Sequence, residues 1–210
     1  MRVLVPFDPR EPKTRLTSVL SEDERREFAR AMLDDVVTTI RKTGRTPEVV
    51  TPTRIHVRGA SILVDDRPLS AAINAKLEAA TESISVIMAD LPLLTPSSCS
   101  RLFEADGNVV LAQGLGGGTN ALVTRHSDFR VDYHGTSYHD HLEIAETCGI
   151  SVTELDSFRF AVDIDQPRDL PEILLHGTGR ANEWLRSAGF QLTTDDGRVV
   201  ATRGPTTTIP

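Results

Sequence analysis

The chain has 210 residues, of which 39% are hydrophobic and 25% charged, and a formal net charge of −7 at pH 7. Such a chain can bury the core of one α/β domain, and no apolar run approaches a membrane span, so a soluble globular protein is expected. The acidic balance argues against a nucleic-acid binder, although a local basic pocket for phosphates remains compatible with it.

The N-terminus MRVLVPFDPR lacks the long apolar stretch of a secretory signal, and a cytosolic location is the expectation. Two cysteines, Cys99 and Cys148, lie in unrelated segments without a C-x-x-C and read as buried free thiols.

RVLVP (2–6) reads as a short buried strand, followed by the charged, proline-rich loop FDPREPKTRL. SEDE (21–24) has the form of a capping box, and Phe28, Met32, Leu33, Val36, Val37 and Ile40 then recur at helical spacing up to Gly44. PEVVTP (47–52) predicts a second strand, with RIHV (54–57) and SILV (61–64) as shorter ones. Leu69, Ala72, Ile73, Leu77 and Ala80 mark a second amphipathic helix. ISVIMAD (84–90) is apolar on both faces, as a central parallel strand covered by helices would be, and it ends in Asp90. Residues 96–105 predict a helix, NVVLAQ (108–113) a buried strand, GLGGGTN (114–120) a loop and ALVTR (121–125) a strand.

SYHDHLEIAETCG reads as a helix capped by Ser137 and ended by Gly149. SVTEL and FRFAVDID then predict strands, and RDLPEILLH and ANEWLRSAGF predict helices. QLTTDDGRVVATR predicts a hairpin turning at Asp196-Gly197, and GPTTTIP a frayed tail. The alternation predicts one Rossmann-like α/β domain over 1–210, with a mostly parallel sheet, helices on both faces, and residues 178–203 as an appendage.

Ligands of such sheets sit outside the C-terminal ends of the strands, where Asp90, Asp163 and Asp165 are all expected. In FAVDID, Asp163 and Asp165 point to one side and Ile164 to the other if the chain is extended, so two like charges lie close together. Three such carboxylates suit Mg²⁺; solvated loop acids are the plainer reading. Asp169 fits the first turn of a helix.

Arg10, Lys13 and Arg15 follow the first strand, where phosphates often bind, or are solvated surface charge. Neither a G-x-G-x-x-G nor a P-loop is present. The four glycines of GLGGGTN either admit an anion close to the backbone or form a flexible loop, and Ser137 is an anion site or a simple cap. His134, His139 and His141 are poorly placed as joint zinc ligands, since positions two apart on a helix diverge. Trp184, Phe158, Phe160 and Phe190 read as packing residues.

Taken in order, VPFDPREPKTRL, MADLPLL, GGGTNAL, GTSYHDH and DIDQPRDL resemble the archaeal 2-phospho-L-lactate guanylyltransferase family of coenzyme F420 biosynthesis. The resemblance runs from residue 3 to about 175 and implies a nucleotidyltransferase fold, commonly in a homodimer. The implied reaction joins 2-phospho-L-lactate and GTP into lactyl-2-diphospho-5′-guanosine and pyrophosphate. Carried over, Lys13 and Arg15 neutralise the GTP phosphates, Asp90, Asp163 and Asp165 hold one or two Mg²⁺ ions, and Asp90 also meets the nucleotide. Thr119, Asn120, Gly135 and Ser137 bind the phosphorylated acid. The first loop departs from the glycine-rich loop of the wider superfamily, and residues 58–75 are the expected base side. Other readings are the same chemistry on phosphoenolpyruvate or 3-phosphoglycerate, a D-x-D glycosyltransferase, or a silent nucleotide-binding subunit.

Overall fold

Alternation of side chains along the strands decides the layering of the molecule. In β1 (Arg2–Pro6), Val3 and Val5 face one way and Leu4 the other, and all three are fully buried. This computed structural model describes residues 1–204, so most of the tail expected to fray lies outside the described residues. After β1 come α1 (Glu22–Arg41), β2 (Pro47–Thr51), β3 (Ser61–Val64), α2 (Leu69–Glu78), β4 (Ile84–Ile87) and α3 (Pro96–Glu104). They are followed by β5 (Val109–Gln113), β6 (Thr119–Thr124), α4 (Ser137–Thr147), β7 (Val152–Glu154) and the single turn α5 (Phe158–Ala161). The chain continues with α6 (Leu170–His176), α7 (Arg180–Ser187), β8 (Phe190–Asp195) and β9 (Arg198–Arg203).

Seven strands form one sheet in the order β3-β2-β1-β4-β6-β5-β7. Every pairing is parallel except those of β6, which runs against both β4 and β5. On one face Val3, Val5, Val110 and Val123 pack under α1 and α3; on the other Leu4, Val86, Leu111 and Leu122 pack under α2 and α4. A third apolar cluster joins the opposite side of α1, through Phe28 and Met32, to α6, α7 and Phe190 of β8. The capping box of α1 forms as expected, with Ser21 N–H donating to Glu24 Oε2 at 2.8 Å. Asp196 and Gly197, both at positive φ, turn the β8–β9 hairpin.

Four local expectations are corrected. RIHV (54–57) forms no strand. FRFAVDID is not a strand either: β7 already closes that side of the sheet, and the segment crosses back over β5 and β6 as α5. Its Ala161 carbonyl accepts from Leu115 N–H at 2.9 Å. Ser137 is the first residue of α4 rather than its side-chain cap. Of the cysteines, Cys99 is buried but Cys148 is exposed.

One buried polar network fixes α4 to the sheet end. His141 is fully buried, and Asp132 N–H donates to its Nε2 at 2.9 Å. That bond fixes the tautomer, leaving Nδ1–H to donate to Thr119 Oγ1 at 2.8 Å. Burial pushes the His141 pKa down to about 4, against the smaller opposing pull of Asp140 and Asp132. The unfolded chain therefore takes up a proton that the folded one refuses. This contribution to stability is complete above the ordinary histidine pKa and is lost as pH falls toward 4. Between pH 7 and pH 5 the loss from this residue is about 2 kcal/mol. Denaturant unfolding at the two pH values is expected to show a pH sensitivity smaller by that amount in His141→Gln than in the parent protein.

Candidate active site

The first loop carries the site's main cation. Lys13 adopts a left-handed φ of 55°, directly before the 3₁₀ turn Thr14–Leu16, whose Leu16 is fully buried. That backbone conformation costs about 1–2 kcal/mol for a residue with a side chain, and the buried anchor that follows holds it. The Lys13 ammonium then lies 2.7 Å from Asp90 Oδ2 and 2.7 Å from Asp165 Oδ1. Burial would lower the lysine pKa, but the charges and hydrogen bonds of the two carboxylates outweigh it and hold the ammonium above its usual range. Arg15 reaches the other oxygen of Asp165 at 3.2 Å and is largely exposed.

Asp90, Asp163 and Asp165 meet as expected, with one carboxylate oxygen of each inside a 4.8 Å group. The reason differs from a pair of strand ends. Asp90 lies three residues beyond β4, and its carbonyl accepts from Ile164 N–H at 3.2 Å, tying the two acidic segments together. Val162 is extended and Ile164 is fully buried, so Asp163 and Asp165 do share the outward side, in a loop rather than a strand. Burial pushes the Asp163 pKa up and the Asn120 hydrogen bond opposes this, while the charges of Asp90 and Asp165 add to the rise. Asp90 Oδ1 is buried with no hydrogen-bond partner. Three clustered hard oxygen donors, one of them unsatisfied, fit a divalent cation such as Mg²⁺.

Two residues that hold this geometry do so by contacts unforeseen in the sequence. Asn120 Nδ2 donates to Asp163 Oδ1 at 3.0 Å and to the Phe160 carbonyl at 2.8 Å, so its side chain supports a carboxylate. Gly114 makes room for it, since a Cβ there would lie 2.6 Å from Asn120 Nδ2. Asp169 accepts from the backbone N–H groups of Asp165 at 3.0 Å and Gln166 at 2.7 Å, pinning the D-x-D segment rather than merely sitting in a first helical turn. The signal available was the D-x-D-x-P-x-D spacing, which places Asp169 four residues after Asp165.

Cavities open on both sides of the carboxylates. One, of about 340 Å³, is lined by the first loop including Lys13, by the end of β2, by Asp65, Arg67 and the start of α2, and by Asp90. The other, of about 580 Å³, is lined by Arg15, Gly116, Gly118, Gly135, Asp163 and Asp165 among others. Thr119 and Ser137 lie deeper, 2% and 4% exposed, with Thr119 N–H donating to Ser137 Oγ at 3.0 Å. Phe158, read as a packing residue, is half-exposed at the rim of the second cavity. His134 and His139 stand outside the acidic group, and among the described residues that group is the one set of three metal-ligating side chains.

The family model for "Guanylyl transferase CofC like" matches residues 1–203. A protein named 2-phospho-L-lactate guanylyltransferase from Halomicrobium mukohataei is 56% identical over 203 residues, covering 97% of this chain and 100% of that one. One of the same name from Haloferax volcanii is 53% identical, covering 97% and 98%. Among solved structures, a putative nucleotide-diphospho-sugar transferase from Desulfovibrio desulfuricans superposes with a TM-score of 0.71 at 13% identity, covering 89% of this chain and 95% of that one. A nucleotidyl transferase from Methanothermobacter does so with a TM-score of 0.58 at 16% identity, covering 89% and 98%. The fold is therefore that of the nucleotidyltransferases, and the chain belongs to the CofC-like guanylyl transferase family.

Proposed function

We propose that this protein is a 2-phospho-L-lactate guanylyltransferase of coenzyme F420 biosynthesis, joining GTP to 2-phospho-L-lactate and releasing pyrophosphate. The observation that carries the reading is an acidic group and a buried lysine on the wall between two cavities, one lined by Asp90 and Lys13, the other by Asp163, Asp165 and Arg15. The names of the relatives support the substrates, and the arrangement supports a reaction between two bound anions.

In this reading GTP lies on the Lys13 side and the phosphorylated acid on the Arg15 side. Asp90, Asp163 and Asp165 would hold Mg²⁺, which when bound neutralises and aligns triphosphate oxygens. A phosphate oxygen of the acid attacks the α-phosphorus of GTP and forms the new P–O bond. The bond from the α-phosphorus to the α,β-bridging oxygen breaks, and its electron pair leaves with pyrophosphate. A phosphomonoester with a second pKa near ~6 is mostly dianionic at pH 7, so the nucleophile needs no protein base. The obstacle is repulsion between anions, which Lys13 and Arg15 offset while holding the reactants in line. Gly116, Gly118 and Gly135 admit the acid close to backbone N–H groups, with Thr119 and Ser137 beneath them. The chain acts as one domain in the cytoplasm and pairs as a homodimer, for which the exposed Leu192 and Val199 of the hairpin supply an apolar contact.

Pyrophosphate release is expected to require both GTP and 2-phospho-L-lactate, with phosphoenolpyruvate and ATP as poorer partners; release independent of the acid would reject the reading. Asp163→Asn and Asp165→Asn are each expected to lower turnover by at least about 100-fold with the circular dichroism spectrum unchanged. Lys13→Met, which leaves Asp90 and Asp165 without their shared cation, is expected to lose activity comparably. Parent-like turnover in any of the three would remove that residue from the mechanism.

A further inference from the structure

The cavity on the Lys13 side contains two copies of one small device. In Asp8-Pro9-Arg10, the arginine N–H donates to Asp8 Oδ1 at 3.0 Å, its Nε to the same oxygen at 2.9 Å and its Nη2 to Oδ2 at 2.5 Å. In Asp65-Asp66-Arg67 the same three bonds recur, at 3.4, 2.8 and 2.6 Å. Each aspartate thus grips the arginine two residues on and fixes the plane of its guanidinium. Both arginines line the cavity.

The two differ in how firmly they are held and in where they stand. Asp8 is half-exposed on the first loop, whereas Asp65 is 6% exposed and takes a further bond from Lys76 Nζ of α2 at 3.0 Å. Arg67 is therefore set on a rigid wall. It follows β3, while Asp90 follows β4, and in the order β3-β2-β1-β4 these ends are three strand spacings apart, roughly 14 Å. A nucleotide with its α-phosphate at Asp90 and Lys13 spans such a distance with its base toward Arg67. Between them lie apolar walls from Phe7, Met32, Val50, Leu69 and Met88, suited to the faces of a purine.

The geometry points to Arg67 as the residue that selects guanine, by donating from its free guanidinium edge to O6 and N7. Nε and one Nη2 hydrogen are committed to Asp65. Nη1 and the second Nη2 hydrogen take no protein acceptor among the described residues. A guanidinium edge offers two parallel donors, and guanine presents two neighbouring acceptors to match them. Adenine places an amino donor where O6 would be, so the same edge meets a donor. Asp65 is a positioning residue in this scheme, with its oxygens filled by Arg67 and Lys76.

This assignment rests on the guanylyltransferase reading and is separable from it. Pyrophosphate release by the parent protein with GTP tests that reading first. Arg67→Ala is then expected to raise KM for GTP and for ITP, which keeps O6 and N7, by about 10- to 100-fold, with kcat little changed and the weak use of ATP unaffected. The parent protein is expected to lose affinity for 7-deaza-GTP, which lacks the N7 acceptor, whereas Arg67→Ala makes no distinction between it and GTP. A parallel fall for GTP and ATP, or a 7-deaza penalty that survives in Arg67→Ala, would overturn the assignment. If the parent shows no turnover at all, displacement of a fluorescent GTP analogue by the same nucleotides, from parent and variant, gives the same two outcomes. Arg67 is about half-exposed, so the variant is expected to fold, and thermal unfolding checks that.

Discussion

Three carboxylates brought within 4.8 Å of one another set the terms for everything around them. Like charges so close need compensation, and the Lys13 ammonium, 10% exposed and 2.7 Å from two of the three acids, is the chain's main contribution. That ammonium and the largely exposed Arg15 guanidinium, 3.2 Å from Asp165, do not balance three acids. Asp90 Oδ1 is left unpartnered, and burial, with the charges of Asp90 and Asp165 added, pushes the Asp163 pKa up; a divalent cation would answer both.

The fold serves this grouping by delivering its charges from three different connections. Lys13 comes from the loop after β1, Asp90 from the turn after β4, and Asp163 and Asp165 from the segment that crosses back over β5 and β6. All of them sit beyond the strand ends, where a mostly parallel sheet leaves a crevice. The side chains that hold the acids, Asn120 and Asp169, line the second cavity and fix where it is charged. Because the acids form the partition between two cavities, a ligand on each side meets the same charge cluster.

The sheet and its two helical layers were legible because apolar residues repeat at two in the strands and near 3.6 in the helices, and because Ser21 and Glu24 mark the start of α1. The acidic group was legible for a partly wrong reason. Alternation about Ile164 holds for any extended chain, and period two cannot tell a strand from an extended loop, so the turn at Phe158–Ala161 went unseen. What stayed hidden depends on contacts across long stretches of sequence. The bond from Asn120 to Asp163 spans 43 residues and that from Lys13 to Asp165 spans 152, and neither leaves a local pattern. Ser137 looked like a cap because serine at a helix start usually is one; its hydroxyl is instead engaged by Thr119 from the neighbouring strand.

The most direct measurement is Mn²⁺ binding followed by electron paramagnetic resonance, as a stand-in for Mg²⁺, in the presence of a non-hydrolysable GTP analogue. If the carboxylate group exists to share a metal with the triphosphate, Asp163→Asn is expected to weaken the nucleotide-dependent Mn²⁺ site by more than about tenfold while the analogue alone still binds. Equal Mn²⁺ affinity in parent and variant would contradict a metal-holding role for the acidic group.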